Sequence, residues 1–455
     1  MILSADKNLS EDLNLKATLG LNSRRDTFSR DGLESTGQLV FGVLEHFNFT
    51  TPSAINSFSG IPINRDFEEN LVGVYLDATL AYKDYIYLNA VARNDWSSTL
   101  ETEISGNTVS NTLGNRNLKA ERIGELELGM DFRLFNRLNF NVSLYEKTTE
   151  DLITQQTLDS STGFTSTFVN IGEIRSQGVE VDYDLDIIKD QGNGLRFNVA
   201  GNFTTNETIV TDLAEGTNNI LLTFAVAGEA ANYAVEGRPF GVFLGSTFLR
   251  DDNGNRIVGG NGRYLVDNTI SEIGDPNPDW TTAVIPSISY KGLTFSANLS
   301  YRHGGDIYSL TAASLIGRGT VDADNPIDRE ANYILPGVFA DGTPNNVAIS
   351  ATEVGFNTFF GGDINELSVF DGSTIRLQEA SLGYSIPKKL LEKTPFGALS
   401  FTLSGQNLWF KAINFPSNLN YDTNASSAGV GNGQGIDYIT GPSARRYGFT
   451  VRASF

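Results

Sequence analysis

Hydrophobic and polar side chains alternate at every second position through much of the chain. In "ELELGMDFRLFNRLNFNVSLYEK", Leu126, Leu128, Met130, Phe132 and Leu134 share one face, and Glu125, Glu127, Asp131 and Arg133 the other. After a tight turn at Phe135-Asn136-Arg137, Leu138, Phe140, Val142 and Leu144 alternate with Asn139, Asn141, Ser143 and Tyr145. "VEVDYDLDI" sets Val179, Val181, Tyr183, Leu185 and Ile187 against Glu180, Asp182, Asp184 and Asp186. "LTFSANLSYR" sets Leu293, Phe295, Ala297, Leu299 and Tyr301 against Thr294, Ser296, Asn298 and Arg302. "LNLKATLGL" near the start and "RRYGFTVRASF" at the end follow the same rule, the latter with Tyr447, Phe449, Val451, Ala453 and Phe455 on one face. A period of two predicts β-strands, and helical spacing fits none of these segments.

Alternation alone suits a soluble sandwich as well as a membrane barrel, since any antiparallel sheet with one wet face reads this way. Three further features favour the barrel. The segments run to about 9 to 14 residues, enough to cross a bilayer as tilted strands and longer than the usual soluble strand of about 5 to 6. Their connections alternate in length: Lys83-Asp84, Phe135 to Arg137, Ile188 to Gly194 and Lys291-Gly292 are short, whereas 97–120, 148–174, 204–278, 303–373 and 411–443 are long. Outer-membrane barrels have short turns at the periplasmic end and long extracellular loops. The apolar faces named above also carry no charge. Because backbone groups find no water in hydrocarbon, a spanning sheet must seal its edges, which predicts an all-β, transmembrane, antiparallel up-and-down β-barrel.

Composition narrows the chemistry. A net charge of −21 argues against a nucleic-acid partner, which needs a basic face. With no cysteine, disulfides, thiolate metal sites and cysteine nucleophiles are excluded. Two histidines, His46 and His303, leave little material for a histidine metal site or triad, and no cofactor or metal is expected. No window approaches the roughly 18 apolar residues of a membrane helix. "MILSADKNLSEDLN" meets Asp6 and Lys7 too early for a signal-peptide apolar core.

Six short motifs occur in one order: "RNDWSS" (Arg93 to Ser98), "NLKAE" (Asn117 to Glu121), "STGFTSTFVNIGEIRSQGVEV" (Ser161 to Val181), "IGDPNPDW" (Ile273 to Trp280), "LGYSIP" (Leu382 to Pro387) and "SGQNL" (Ser404 to Leu408). Together they resemble the C-terminal part of the SusC/RagA-type TonB-dependent outer-membrane transporters of the Bacteroidetes. Arg116 stands where that pattern usually has proline. The resemblance implies a barrel of about 22 strands, of which about 13 are legible here, with the plug domain, TonB-contacting segment and signal peptide not visible, so that residues 1–455 read as a fragment supplying barrel wall and loops. It further implies location in the outer membrane among its lipids, uptake of oligosaccharides or peptides, energy from the TonB complex through the missing N-terminal region, and a SusD-like surface lipoprotein as lid. The final strand, with Tyr447, Phe449, Val451 and Phe455, is similar to the signal read by the barrel-assembly machinery. Candidate ligand contacts at the mouth and lumen are Arg93, Asp95, Trp96, Tyr301, Arg302, Asp306 and Trp409.

Other constellations have plainer readings. The acid ladder Glu180, Asp182, Asp184 and Asp186 reads as a solvated lumen face rather than a cation site. In "RDDNGNRIVGGNGRYLVDN", Asp251, Asn253 and Asn255 have calcium-loop spacing, but the glycine is displaced to Gly254 and no glutamate closes the loop, which leaves a hairpin turn at Asn253-Gly254. "RHGGD" (Arg302 to Asp306) reads as a strand-to-loop junction. Trp96, Trp280 and Trp409 lie near strand ends, as an interfacial belt requires, although sugar stacking is the alternative. "NASSAGVGNGQG" lacks the strand-to-helix context and lysine of a phosphate cradle. Paired acids are plentiful, but nothing localises a catalytic pair, so no enzyme is expected. A passive porin or a soluble β-rich adhesin-like protein is the alternative function.

Overall fold

The alternating segments form strands paired in chain order. The computed structural model describes residues 1–30, 34–38, 49–53, 65–83, 86–97, 112–158, 160–164, 166–170, 172–189, 192, 194–213, 217–222, 230–319, 330–355, 364–416, 419, 421–424, 433–441 and 443–455. His46, Asp84, Ser98 and positions 425–432 of the glycine-rich tract lie outside them. The chain divides into two compact units, Met1–Ser110 and Asn111–Phe455.

The first unit is an antiparallel meander of β1 (Ile2–Asn8), β2 (Leu13–Arg30), β3 (Arg65–Tyr82) and β4 (Ile86–Ser97). β2 and β3 pair over 18 residues, from Leu13 opposite Tyr82 to Arg30 opposite Arg65. Register sorts the side chains by face. Leu19, Leu76 and Ala92 form one apolar row, while Gly20, Tyr75 and Arg93 form a row on the opposite, polar face.

The second unit has nine wall strands among the described residues: β5 (Arg122–Leu134), β6 (Leu138–Glu150), β7 (Gly172–Ile188), β8 (Leu195–Leu213), β9 (Pro278–Tyr290), β10 (Leu293–Gly304), β11 (Thr374–Ser385), β12 (Ala398–Ala412) and β13 (Arg446–Ser454). Each pairs antiparallel with its neighbour. Four and nine give the thirteen wall strands that the alternation predicts. The short turns behave as expected: Phe135 and Asn136 both take left-handed backbone, φ 53° and 52°, as a type I′ hairpin turn demands, and Lys291-Gly292 does the same.

One face of this wall is apolar and exposed. Ile288, Phe295, Leu382, Leu403 and Phe449 form a row across β9 to β13 by direct register, each more than 40% exposed. Such a surface is unfavourable in water and suited to lipid. From Leu126 to Leu134 the apolar stripe spans about 27 Å along the strand, or about 20 Å of height after a barrel-like tilt, close to an outer-membrane apolar band. Above it the same face becomes polar: Arg175 donates to Glu146 at 2.5 Å and Gln177 to Glu207 at 2.8 Å. β8 consequently runs to Leu213, well past the expected loop start near 204, because Thr205 and Glu207 no longer face hydrocarbon and the apolar alternation stops there.

The dry core of the second unit lies in its long connections and against the upper end of β8. Its fully buried side chains include Val210, Val242, Phe243, Val258, Ile307, Tyr308 and Ile316. A four-stranded sheet is built from Asn219–Leu221, Ala231–Val235, Val242–Phe248 and Val266–Gly274. A three-stranded sheet joins Val369–Asp371, Asp306–Ser309 and Ile436–Asp437, and helix α1 (Leu310–Gly317) follows directly.

Candidate functional site in the long connections

The connections are packed together by side chains from distant segments. Ile307, Ala312 and Ile316 bury against Ala412, Phe415, Leu419 and Tyr421, while Ala230, Phe243 and Tyr308 form a second cluster. Asn365 fastens two connections: its amide oxygen accepts from Ser246 N at 3.0 Å, and its Nδ2 donates to Tyr308 Oη at 3.2 Å. Beside it opens a cleft of about 370 Å³ lined by Thr247, Phe248, Arg250, Asp267, Glu272, Ile273 and Glu366. Arg250 pairs with Glu366 at 2.6 Å and Arg238 with Glu272, and Arg256 stacks 3.9 Å from the ring centre of Phe248. Thus ion pairs line the cleft walls and a buried phenyl ring contributes an apolar patch.

The "IGDPNPDW" and "RHGGD" motifs meet as one knot. Asp306 Oδ2 accepts from Asp275 N at 2.9 Å, and Asp306 N donates back to Asp275 O at 2.6 Å. Arg302 reaches three backbone carbonyls, of Pro276, Gly304 and Gly305, at 3.0 to 3.2 Å. Gly304 and Gly305 both have left-handed backbone, φ 69° and 75°, and a Cβ on Gly305 would sit 2.2 Å from Arg302 Nη2. The junction is therefore a packed corner. Burial, with Asp371 and Asp275 nearby, pushes the Asp306 carboxyl above the ordinary range. Across the Asn253-Gly254 turn, Asp251 accepts the Asn253 and Asn255 amides at 2.9 and 2.8 Å, so its carboxylate serves the hairpin.

Two further motifs interlock. Asn170 Nδ2 donates to Lys119 O and Asp151 O at 2.9 and 2.7 Å, and its Oδ1 accepts from Lys119 N at 2.8 Å. Glu121 Oε1 accepts from Ile153 N at 2.8 Å. Thus "NLKAE" and the "NIGE" start of β7 tie one strand entrance to the next. Gly172 has φ 109°, and a Cβ there would lie 2.1 Å from Asp212 O. Only glycine combines that backbone with that approach.

The last long connection is fastened at both ends. β11 slips register between Leu377 and Glu379, and in the facing strand Asn407 adopts φ 53°. A bulge of this kind re-aims side chains. Arg376 consequently enters the interior, where it pairs with Asp422, donates to Asn407 Oδ1 at 2.5 Å and lies over the Phe410 ring. Asn407, from "SGQNL", also donates to Ala444 O at 3.2 Å. At the other end, fully buried Asp437 accepts from Ser309 Oγ at 2.7 Å and Thr440 N at 3.2 Å. Burial alone would raise this carboxyl, but hydroxyls of Thr440, Ser309, Thr311 and Tyr421 hold it below its ordinary value.

Within each unit the sequence-predicted contacts fall on different faces. Arg93 and Asp95 lie on the polar face of the first unit, bonded to each other at 2.7 Å, with Arg93 over the Tyr75 ring. Trp96 lies on the apolar face opposite Val72. Tyr301 and Trp409 share the apolar face of the second unit, opposite Thr282 and Leu377. Arg302 and Asp306 belong to the packed corner. Tyr447, Phe449 and Val451 point outward from β13, Phe449 stacking on Phe401 with ring centres 6.2 Å apart, while Phe455 contacts Phe396. In the acid ladder, Asp184 and Asp186 are hydrogen-bonded by Asn198 and Asp186 is paired with Arg196. The cleft residues Thr247, Arg250, Asp267 and Glu366 were missed, because no spacing in the sequence links segments so far apart.

An antiparallel wall with an apolar exterior face, a polar opposite face and long packed connections defines the class of outer-membrane β-barrel proteins. The sequence model described as "TonB dependent receptor-like, beta-barrel" matches residues 14–323. The chain belongs to this family, which is one of receptors rather than enzymes, and resides in the outer membrane. It is 27% identical over 386 residues to TonB-dependent receptor P3 of Formosa agariphila, covering 78% of this chain and 36% of that protein. TonB-dependent receptor P26 of the same organism is 26% identical over 372 residues, covering 76% and 36%. The chain thus spans about a third of the length of these relatives, whose source accords with the expected Bacteroidetes origin. Among solved structures, the RagAB peptide transporter matches with a TM-score of 0.60 at 15% identity, over 100% of this chain and 55% of that one. The RagAB peptide importer in the closed-closed state gives 0.62 at 16%, over 100% and 55%. These likenesses bear out the fold.

Proposed function

We propose that the chain supplies barrel wall and extracellular vestibule to an outer-membrane importer that takes up peptides or oligosaccharides with energy relayed by TonB and a SusD-like lipoprotein as lid. The observation that carries this reading is the packed assembly of long connections, which offers a cleft of mixed charge rather than unstructured loops. Long connections at one end and short turns at the other orient the wall with the packed assembly outside the cell. Arg250, Asp267, Glu272 and Glu366 are the proposed polar contacts of the vestibule, and Arg93 and Asp95 those of the lumen face. The importer named in the solved neighbours carries peptides, which favours that cargo over oligosaccharides. The final strand, with Tyr447, Phe449, Val451 and Phe455, is the proposed address for the assembly machinery.

The test is uptake of fluorescent peptides and oligosaccharides by cells of the source organism carrying or lacking this gene. Uptake should fall with loss of the gene and equally with loss of TonB. Uptake that survives loss of TonB would replace this reading with a passive pore.

A further inference from the structure

We propose that Asp279, Trp280, Tyr301 and His303 form a recognition platform for the sugar headgroup of a neutral glycolipid, at the rim of the membrane-facing wall. Trp280 of β9 and Tyr301 and His303 of β10 share the face that carries Ile288 and Phe295 lower down. Trp280 lies 5.0 Å from Tyr301 and 5.3 Å from His303 between ring centres, and Phe203 of β8 backs it at 5.7 Å. The three rings give a broad surface of the kind on which the C–H face of a sugar stacks.

Asp279 sets this cluster apart from an ordinary aromatic belt. By strict alternation its side chain would point to the polar face. The register slips between Pro278, opposite Gly304, and Trp280, opposite His303, so Asp279 is the bulged residue. Its carboxylate consequently lies on the aromatic side, 3.7 Å from His303 Nε2, while Tyr301 Oη lies 3.3 Å from His303 Nδ1. Thr205 Oγ1 holds the bulge by donating to Asp279 O at 2.8 Å. Gly304, with φ 69°, leaves the space, since a Cβ there would sit 2.6 Å from Asp279 Oδ2. Three strands thus cooperate to place one carboxylate beside three rings.

An interfacial belt accounts for the rings but not for a carboxylate aimed at the level where lipid phosphates lie. Asp279 repels a phosphate and accepts from hydroxyls, with imidazole and phenol as further hydrogen-bonding groups. The chemistry is therefore that of a neutral sugar. The occupant is a lipid because the platform continues the membrane-facing band: Val284, opposite Leu299, lies only about 13 Å along the strand from Trp280.

The test uses the full-length protein in mild detergent, incubated with equimolar glucosyl diacylglycerol and phosphatidylglycerol, with retained lipid read by native mass spectrometry. Wild type should retain the glycolipid at least tenfold over the anionic lipid. Asp279→Ala and His303→Ala should abolish this preference, and Tyr301→Phe, which keeps the ring, should reduce it severalfold. Ile288→Ala in the band should leave it unchanged, and heat-modifiable gel migration shows that each variant is folded. Equal retention of the two lipids by wild type, or an unchanged preference in folded Asp279→Ala, overturns the proposal. Methyl glucoside displacing the lipid at equal concentration would make a soluble sugar the occupant and overturn the lipid assignment, whereas failure to displace supports it.

Discussion

Ser309 Oγ lies 2.7 Å from Asp437 Oδ2, a hydrogen bond that joins the N-cap of α1 to the last long connection across 128 residues of sequence. Ser309 also accepts from Ala312 N at 3.0 Å, so one hydroxyl completes the helix start and serves a buried carboxylate. The partial positive charge of the helix start favours the ionised acid.

This knot predicts a pH response. The folded-state value of Asp437 is depressed, so its contribution is present above the unfolded value near 4 and is lost as pH falls through the folded value. Hydrogen-exchange protection at residues 436–441, taken relative to the intrinsic rate at each pH, should fall below about pH 4 in wild type. Asp437→Asn should be weakly protected there already at neutral pH and lose little further protection on acidification.

Arg376 and Asp422 form a buried pair, and removing one partner strands the other. Arg376→Met should cost about 3 to 5 kcal/mol in denaturant unfolding, whereas Arg376→Met with Asp422→Leu should recover much of it. Equal losses in the single and double variants would count against a buried pair.

Gly172→Ala places a Cβ 2.1 Å from Asp212 O and forces a strained φ. Its expected consequence is parting of the upper ends of β7 and β8, read as faster exchange at Glu173 and Asp212 while the lower wall stays protected. Ala substituted at Gly124, where nothing lies within 4 Å, should leave exchange unchanged.

The two faces of the wall should differ sharply toward a cation. Leu382→Arg, on the lipid side, should cost about 2 to 4 kcal/mol of folding into vesicles. Thr294→Arg, on the polar face, should cost little. Similar penalties at the two positions would place both faces in the same medium.

The wall was legible in the sequence because lipid imposes one rule on every second residue, as Leu126 to Leu134 and Phe449 to Val451 show. The packed connections were not. "GVFLGSTF" is buried on both faces in a four-stranded sheet, and a continuous apolar run cannot be separated from a buried helix by period alone. Bulges hide orientation as well. A reader counting alternation assigns Asp279 and Arg376 to the wrong faces, because one unpaired residue inverts the rule without leaving a compositional trace. The motifs "NLKAE", "NIGE" and "SGQNL" were recognisable as a set, but their physical role as fastenings became visible only with Asn170, Glu121 and Asn407 in place.

The bond from Asn232 Nδ2 to Gln434 O spans 202 residues, whereas neighbouring wall strands pair across only short or intermediate separations. Closing so large a loop carries an entropic cost that local hairpins avoid. The wall can therefore grow hairpin by hairpin as the chain arrives, but the connections can dry out only after residues 434–436 are delivered. Until then Phe243 and Tyr308 lack the cover that Gly435 and Ile436 provide. Maturation of the vestibule is thereby tied to the arrival of residues 433–437, and a chain cut short before Gln434 would carry its wall hairpins beneath an unfinished, adhesive crown.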